Sequence, residues 1–125
     1  MNADTKLCGL DPASEYVELA AEVMSILSDP TRIRIILALR DSDELPVNAI
    51  AARVSKKPPA VSQHLARLRM ARMVTTRQDG TSVRYRLSDE HAVALVLEAI
   101  KQAEHAVANG QVPPHHHAPH SAPSP

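Results

Sequence analysis

Between Met73 and Leu87 the spacing of apolar residues drops from that of a helix to two, and a tight-turn dipeptide, Asp79-Gly80, sits inside the stretch. VTTRQ before it and TSVRYRL after it predict a β-hairpin, because Gly and Asp tolerate the positive φ that a tight turn needs. Val83, Tyr85 and Leu87 then share one face, and Arg84 and Arg86 the other. The patterned segments on either side of the hairpin are helical. The fold class this predicts is mainly α with one β-hairpin.

Asp11-Pro12 places a capping residue before a proline at the first helical position, and Tyr16, Leu19, Ala20, Val23 and Leu27 follow at helical spacing. Asp29-Pro30 repeats the start signal for a second helix that runs to about Asp41, with Ile33, Ile36 and Leu37 expected inward. Pro46 opens a short third helix carrying Val47, Ile50, Ala51 and Val54. SKKPP breaks it, since adjacent prolines cannot continue the helix before them. Pro59 then opens a fourth helix, in which Val61, Leu65 and Leu68 form a buried stripe and Ser62, Gln63, Arg67 and Arg69 fall largely outside it. After the hairpin, Ser88 and Asp89 are capping candidates for a last helix over about 89–108, with Ala92, Val93, Val96, Ile100, Ala103 and Val107 on its apolar face and Asn109-Gly110 as its stop. Residues 11–108 are therefore expected to form one domain, between a flexible 1–10 and a flexible Pro/His-rich tail over 109–125.

A short helix, a turn of a few residues and a second helix that is polar and basic on its free side spell a helix-turn-helix. A basic hairpin directly after it is a wing. Charge supports the same reading. The chain is neutral overall, yet residues 53–86 hold nine basic residues and the single acid Asp79. Such a +8 block focuses positive potential on one surface and calls for a polyanion. The partner this implies is double-stranded DNA. Ser62 and Gln63, near the start of the fourth helix, are the candidates for reading base edges; Lys56, Lys57, Arg67, Arg69, Arg77, Arg84 and Arg86 are candidates for phosphate contacts. His64 is open between a local hydrogen-bond network and a base contact.

The core has no Phe or Trp and only Tyr16 and Tyr85, so it buries less area per residue, and a homodimer would make up the shortfall. A two-fold dimer predicts a pseudo-palindromic operator. No apolar run reaches the length of a membrane span, and with Cys8 as the sole cysteine a cytoplasmic setting is expected. No nucleophile–base pair or phosphate-cradling glycine loop points to an enzyme.

His91 and His105 project from nearly the same face of the last helix, but fourteen residues separate them by ~21 Å along its axis. One ion cannot bind both within one chain, because metal–ligand bonds are only ~2 Å long. Antiparallel pairing of this helix with its copy would bring His91 against Glu104 and His105 of the partner subunit, giving two symmetric sites. Asp89 is open between metal ligand and helix cap. His115, His116, His117 and His120 in the tail are available as further ligands. Imidazole and carboxylate without thiolate suit Ni(II), Co(II) or Zn(II).

In LSDPTRIRIILAL at 27–39, KPPAVSQHLARLRMARMV at 57–74 and DGTSVRYRL at 79–87 the sequence resembles the ArsR/SmtB family of metal-responsive repressors. The resemblance, over about residues 15–108, implies a dimeric winged helix-turn-helix whose first and last helices form the interface, and which releases DNA when its inducer binds. ELPVNA at 44–49 departs from the cysteine-bearing motif of the thiolate-sensing members. The last helix retains Asp89, His91 and His105 of the family's interhelical site but has Gln102 at the intermediate histidine position. His91 with the Glu104-His105 pair and a histidine-rich tail is similar to the nickel- and cobalt-sensing branch. That likeness implies His91, Glu104, His105, His115 and His116 as ligands of a six-coordinate site favouring Ni(II) or Co(II). The alternative inducer is a non-metal or redox signal, for which Cys8 allows a disulfide only between chains.

Overall fold

The structure, a computed structural model, describes residues 10–109; Cys8, His115, His116, His117 and His120 lie outside that range. The described elements run α1 (Tyr16–Ile26), α2 (Pro30–Arg40), β1 (Leu45–Pro46), α3 (Val47–Val54), α4 (Pro58–Met70), β2 (Val74–Asp79), β3 (Ser82–Leu87) and α5 (His91–Ala108). This is the winged helix-turn-helix arrangement that the sequence predicts, with one strand more.

α1 starts later than Asp11-Pro12 suggests. The Asp11 carboxylate accepts from the Ala13 N–H at 2.8 Å and its carbonyl from the Ser14 N–H at 2.8 Å, closing a separate turn. Ser14, buried, then accepts from the Tyr16 N–H at 3.0 Å. Local side-chain bonds of this kind compete with the first helical turn. Of the expected stripe only Leu27, just past the helix, is buried, while Tyr16 and Leu19 keep about half their surface in solvent.

α2 is capped as Asp29-Pro30 predicts: Asp29 accepts from the N–H groups of Thr31 and Arg32 at 2.8 and 3.1 Å. Its buried set differs from the expected Ile33, Ile36 and Leu37. Ile35, Ile36, Ala38 and Leu39 are buried, and Ile33 and Leu37 only partly so. The reason is position. α2 is the central helix, packed against α3, α4, α5 and β3, and a helix surrounded by neighbours shows no single apolar stripe.

β1 had no sequence signal, because two residues are too few to show a period. It pairs antiparallel with β3, Leu45 opposite Tyr85 and Pro46 opposite Arg84, and the sheet order is β1-β3-β2. Pro46 is tolerated because it lies on an edge strand. The hairpin register sets Asp79 opposite Ser82, so the two-residue loop is Gly80-Thr81, one residue later than expected, with Gly80 at φ +64°.

α3 ends with Ser55 in the left-handed region, φ 58°, ψ 44°, and the Lys56 N–H returns to the Ala51 carbonyl at 3.1 Å. Pro58 rather than Pro59 begins α4; both prolines fit the first turn, where no N–H has an intrahelical acceptor. Arg72, φ 63°, makes a second left-handed exit after α4, and the Met73 N–H bonds the Leu68 carbonyl at 2.9 Å.

Ile35, Ile36, Ile50, Val61, Leu65, Leu68 and Val74 are the fully buried centre. α5 adds Ala92 and Val96, while Ala103 and Val107 of its expected apolar face stay exposed. Among the described residues no helix is long and apolar enough to cross a membrane.

Candidate nucleic-acid interface

α4 buries Val61, Leu65 and Leu68 completely, a row at i, i+4 and i+7 that fixes the rotation of the helix about its axis. Ser62, Gln63, Arg67 and Arg69 are consequently exposed, as are Lys56 and Lys57 just ahead of the helix. The exposed residues occupy two flanks. Ser62, Ala66, Arg69 and Met70 line a cleft of about 420 Å³ whose other wall is Tyr85 of β3. Arg67 lines a second cleft, about 440 Å³, shared with Val23 and Ile26 of α1. Sequence reasoning singled out neither Tyr85 nor Met70 for this surface. The strand period places Tyr85 on one face with Val83 and Leu87, and only the packing of the hairpin beside α4 brings it to the cleft.

The wing arginines are less alike than their sequence suggests. Arg77 and Arg84 face each other across the β2–β3 ladder. Two like charges directly opposite destabilise a sheet unless they are neutralised. Glu44, in the turn before β1, accepts from Arg77 Nε and Nη2 at 2.7–3.0 Å, and Asp79 accepts from Arg84 Nε at 3.2 Å. The bidentate bond from Arg77 holds the Glu44 carboxyl below the usual carboxylate range, and the same bond raises Arg77. Arg86 is exposed and, among the described residues, has no carboxylate within ion-pair distance.

His64 is half-buried and its Nδ1 accepts from Arg32 Nε at 3.1 Å. Of its two open roles, this geometry engages the ring in a local hydrogen-bond network.

The metal candidates stand apart. His91, Glu104 and His105 are all exposed on α5, at its two ends, and among the described residues no three His, Cys, Asp or Glu side chains converge on a possible ion. Asp89 accepts from the His91 N–H at 2.9 Å, so its carboxylate satisfies one of the orphan donors at the start of α5. The helices that would meet a second copy expose apolar surface: Tyr16, Val17, Leu19 and Met24 on α1, Leu95 and Val107 on α5.

Comparison with known proteins agrees with this architecture. The sequence profile described as "Bacterial regulatory protein, arsR family" matches residues 29–76. The HTH-type transcriptional regulator KmtR of Mycobacterium tuberculosis is 48% identical over 88% of this chain and 83% of its own length. The HTH-type transcriptional repressor SmtB of the same species is 38% identical over 74% of this chain and 67% of its own. Among solved structures, the AntR antimony-specific transcriptional repressor superimposes with a TM-score of 0.69 at 28% identity, covering 78% of this chain and 89% of that one.

Proposed function

This chain belongs to the arsR family of bacterial regulatory proteins, as a transcriptional regulator and not an enzyme, and from that premise we propose that it is a homodimeric repressor released from its operator by a transition metal. One observation carries the DNA-reading half. The complete burial of Val61, Leu65 and Leu68 leaves Ser62, Gln63, Arg67 and Arg69 free on one helix, beside a basic hairpin. Such a helix fits the major groove, with Ser62 and Gln63 near its N-terminal end at base edges. Lys56, Lys57, Arg67, Arg69 and Arg86 hold phosphates. Arg77 and Arg84 join them by exchanging a carboxylate for a phosphate.

The metal half rests on the donor set and on the open apolar faces. His91 and His105 cannot share an ion within one chain, whereas antiparallel packing of α5 against its copy joins His91 to Glu104 and His105 of the partner subunit. The unburied apolar residues of α1 and α5 are the surface that such packing needs. Imidazole and carboxylate ligands, with His115 and His116 completing the shell, favour Ni(II) or Co(II), and Zn(II) less. Asp89, which lies one residue before the N-cap Glu90 and accepts from the His91 N–H, and His117 are secondary candidates. SmtB and AntR are repressors, AntR an antimony-specific one; the preference for nickel and cobalt rests on the ligand chemistry and the family resemblance.

The test is an operator titration with and without Ni(II), Co(II) and Zn(II), on the wild type and on a His91→Ala/His105→Ala double variant. Metal should weaken operator binding by wild type, by the ~5–150-fold typical of coupling free energies of ~1–3 kcal/mol. The double variant should bind operator normally and ignore metal. Equal metal response in both proteins would remove α5 from the sensing site; release by peroxide alone would favour a redox signal.

A further inference from the structure

Arg32 ties three helices together. It lies in the first turn of α2, where its own N–H is held by the Asp29 carboxylate at 3.1 Å. Its Nη1 donates to the carbonyl of Ile26, the last residue of α1, at 2.8 Å. Its Nε donates to Nδ1 of His64, in the middle of α4, at 3.1 Å. All three bonds are part-buried. A guanidinium presents its donors in a rigid planar fork, so the carbonyl at the end of α1 and the imidazole on α4 are held at a fixed mutual position. The Ile26 carbonyl is one of the orphan acceptors of a helix C-terminus, where a cation is favoured. Among the described residues no other side-chain hydrogen bond or ion pair joins α1 to α4, which otherwise face each other across the cleft lined by Glu22, Val23, Ser25, Ile26, Arg67 and Met70.

His64 adjoins Gln63 in sequence, on the helix assigned above to the major groove. Whatever sets the height and rotation of His64 therefore sets the reach of Gln63. We propose that Arg32 is a positioning residue for DNA recognition, clamping α4 through His64 to the end of α1. The proposal rests on the DNA-reading function given above. It adds a route by which displacement of α1 reaches the DNA-reading helix.

The test uses the full-length protein and a fluorescent duplex obtained by in vitro selection on the wild type, with a scrambled duplex as control. Arg32→Ala and His64→Ala should each weaken binding to the selected duplex about tenfold, the worth of one hydrogen bond to a charged group. The double variant should be no weaker than the worse single, because both remove one link. His64→Asn, whose carboxamide oxygen stands near the position of Nδ1, should recover most of the affinity. Binding to the scrambled duplex by the His64 variants should not change. The salt dependence of Arg32→Ala should keep its slope, whereas loss of a phosphate contact lowers it by about one. Additive losses, wild-type affinity in both singles, or His64→Asn as weak as His64→Ala would overturn the clamp while leaving DNA reading intact. If Arg32→Ala does not fold, His64→Ala against His64→Asn decides alone. Failure of the wild type to enrich any duplex is a different result: it removes the DNA-reading premise, and the clamp with it.

Discussion

Glu44 grips Arg77 with both carboxylate oxygens, at 2.7 to 3.0 Å, across a gap of more than thirty residues of chain. The pair joins the turn before β1 to the wing, and it occupies the guanidinium proposed above to meet a DNA phosphate. Glu44→Gln should therefore tighten binding to duplex DNA by a few-fold at low salt and steepen its salt dependence by up to about one unit of slope. Fluorescence titration over a salt series checks this. Unchanged affinity would mean that Arg77 has no part in phosphate binding.

The sign of the pH effect follows from the same bond. The Glu44 carboxyl is held below its ordinary value. Whatever the pair contributes to stability is then present above the ordinary carboxylate pKa and lost as pH falls through the lower folded value. Wild type and Glu44→Gln should converge in stability in acid, as read by urea unfolding at successive pH values. A gap that widened on acidification would contradict the sign.

Asp29 is held low for a different balance of reasons. Burial alone would raise its carboxyl, but the N–H groups of Arg32 and Thr31, with the nearby Arg32 charge, outweigh that. Asp29→Ala should cost about 1 kcal/mol, the usual worth of a lost N-cap. Calorimetric melting would detect it. A neutral result would mean that Pro30 alone starts α2.

Ser55 holds a left-handed conformation that L side chains disfavour. Ser55→Gly should stabilise the fold by about 0.5–1 kcal/mol, since relief of that strain exceeds the added freedom of the unfolded chain. Ser55 is not among the residues assigned to DNA and glycine keeps the same left-handed turn, so operator affinity should be unchanged while the denaturation midpoint rises. A fall in the midpoint would show that the Ser55 side chain has a role of its own.

Gln63→Ala and Arg67→Ala should separate the two kinds of contact. The first should erode preference for the selected sequence over a scrambled one by about 1–3 kcal/mol per lost bidentate base contact. The second should weaken both duplexes alike and reduce the salt slope by about one. Matching losses on matched and scrambled DNA for Gln63→Ala would place that side chain away from the bases.

The amino-acid order alone was enough to set the sequence of helices, the break at SKKPP, the hairpin after Met73 and the basic block over 53–86. Each is a local pattern: a period, a capping pair or a run of one charge, carried by neighbours in the chain. The exposure of Ser62, Gln63, Arg67 and Arg69 was equally legible, because the Val61–Leu65–Leu68 row dictates it. What depends on residues far apart in the chain needed the tertiary structure. The short strand at Leu45–Pro46 exists only because β3 lies beside it, and α2 lost its expected stripe because neighbours surround it. The side-chain partners of two residues near that surface, Glu44 for Arg77 and Arg32 for His64, are 33 and 32 residues away. Chain patterns report which face of an element turns inward; only the packed molecule decides which charged group meets which, because that choice is made by distances in space that no local period encodes.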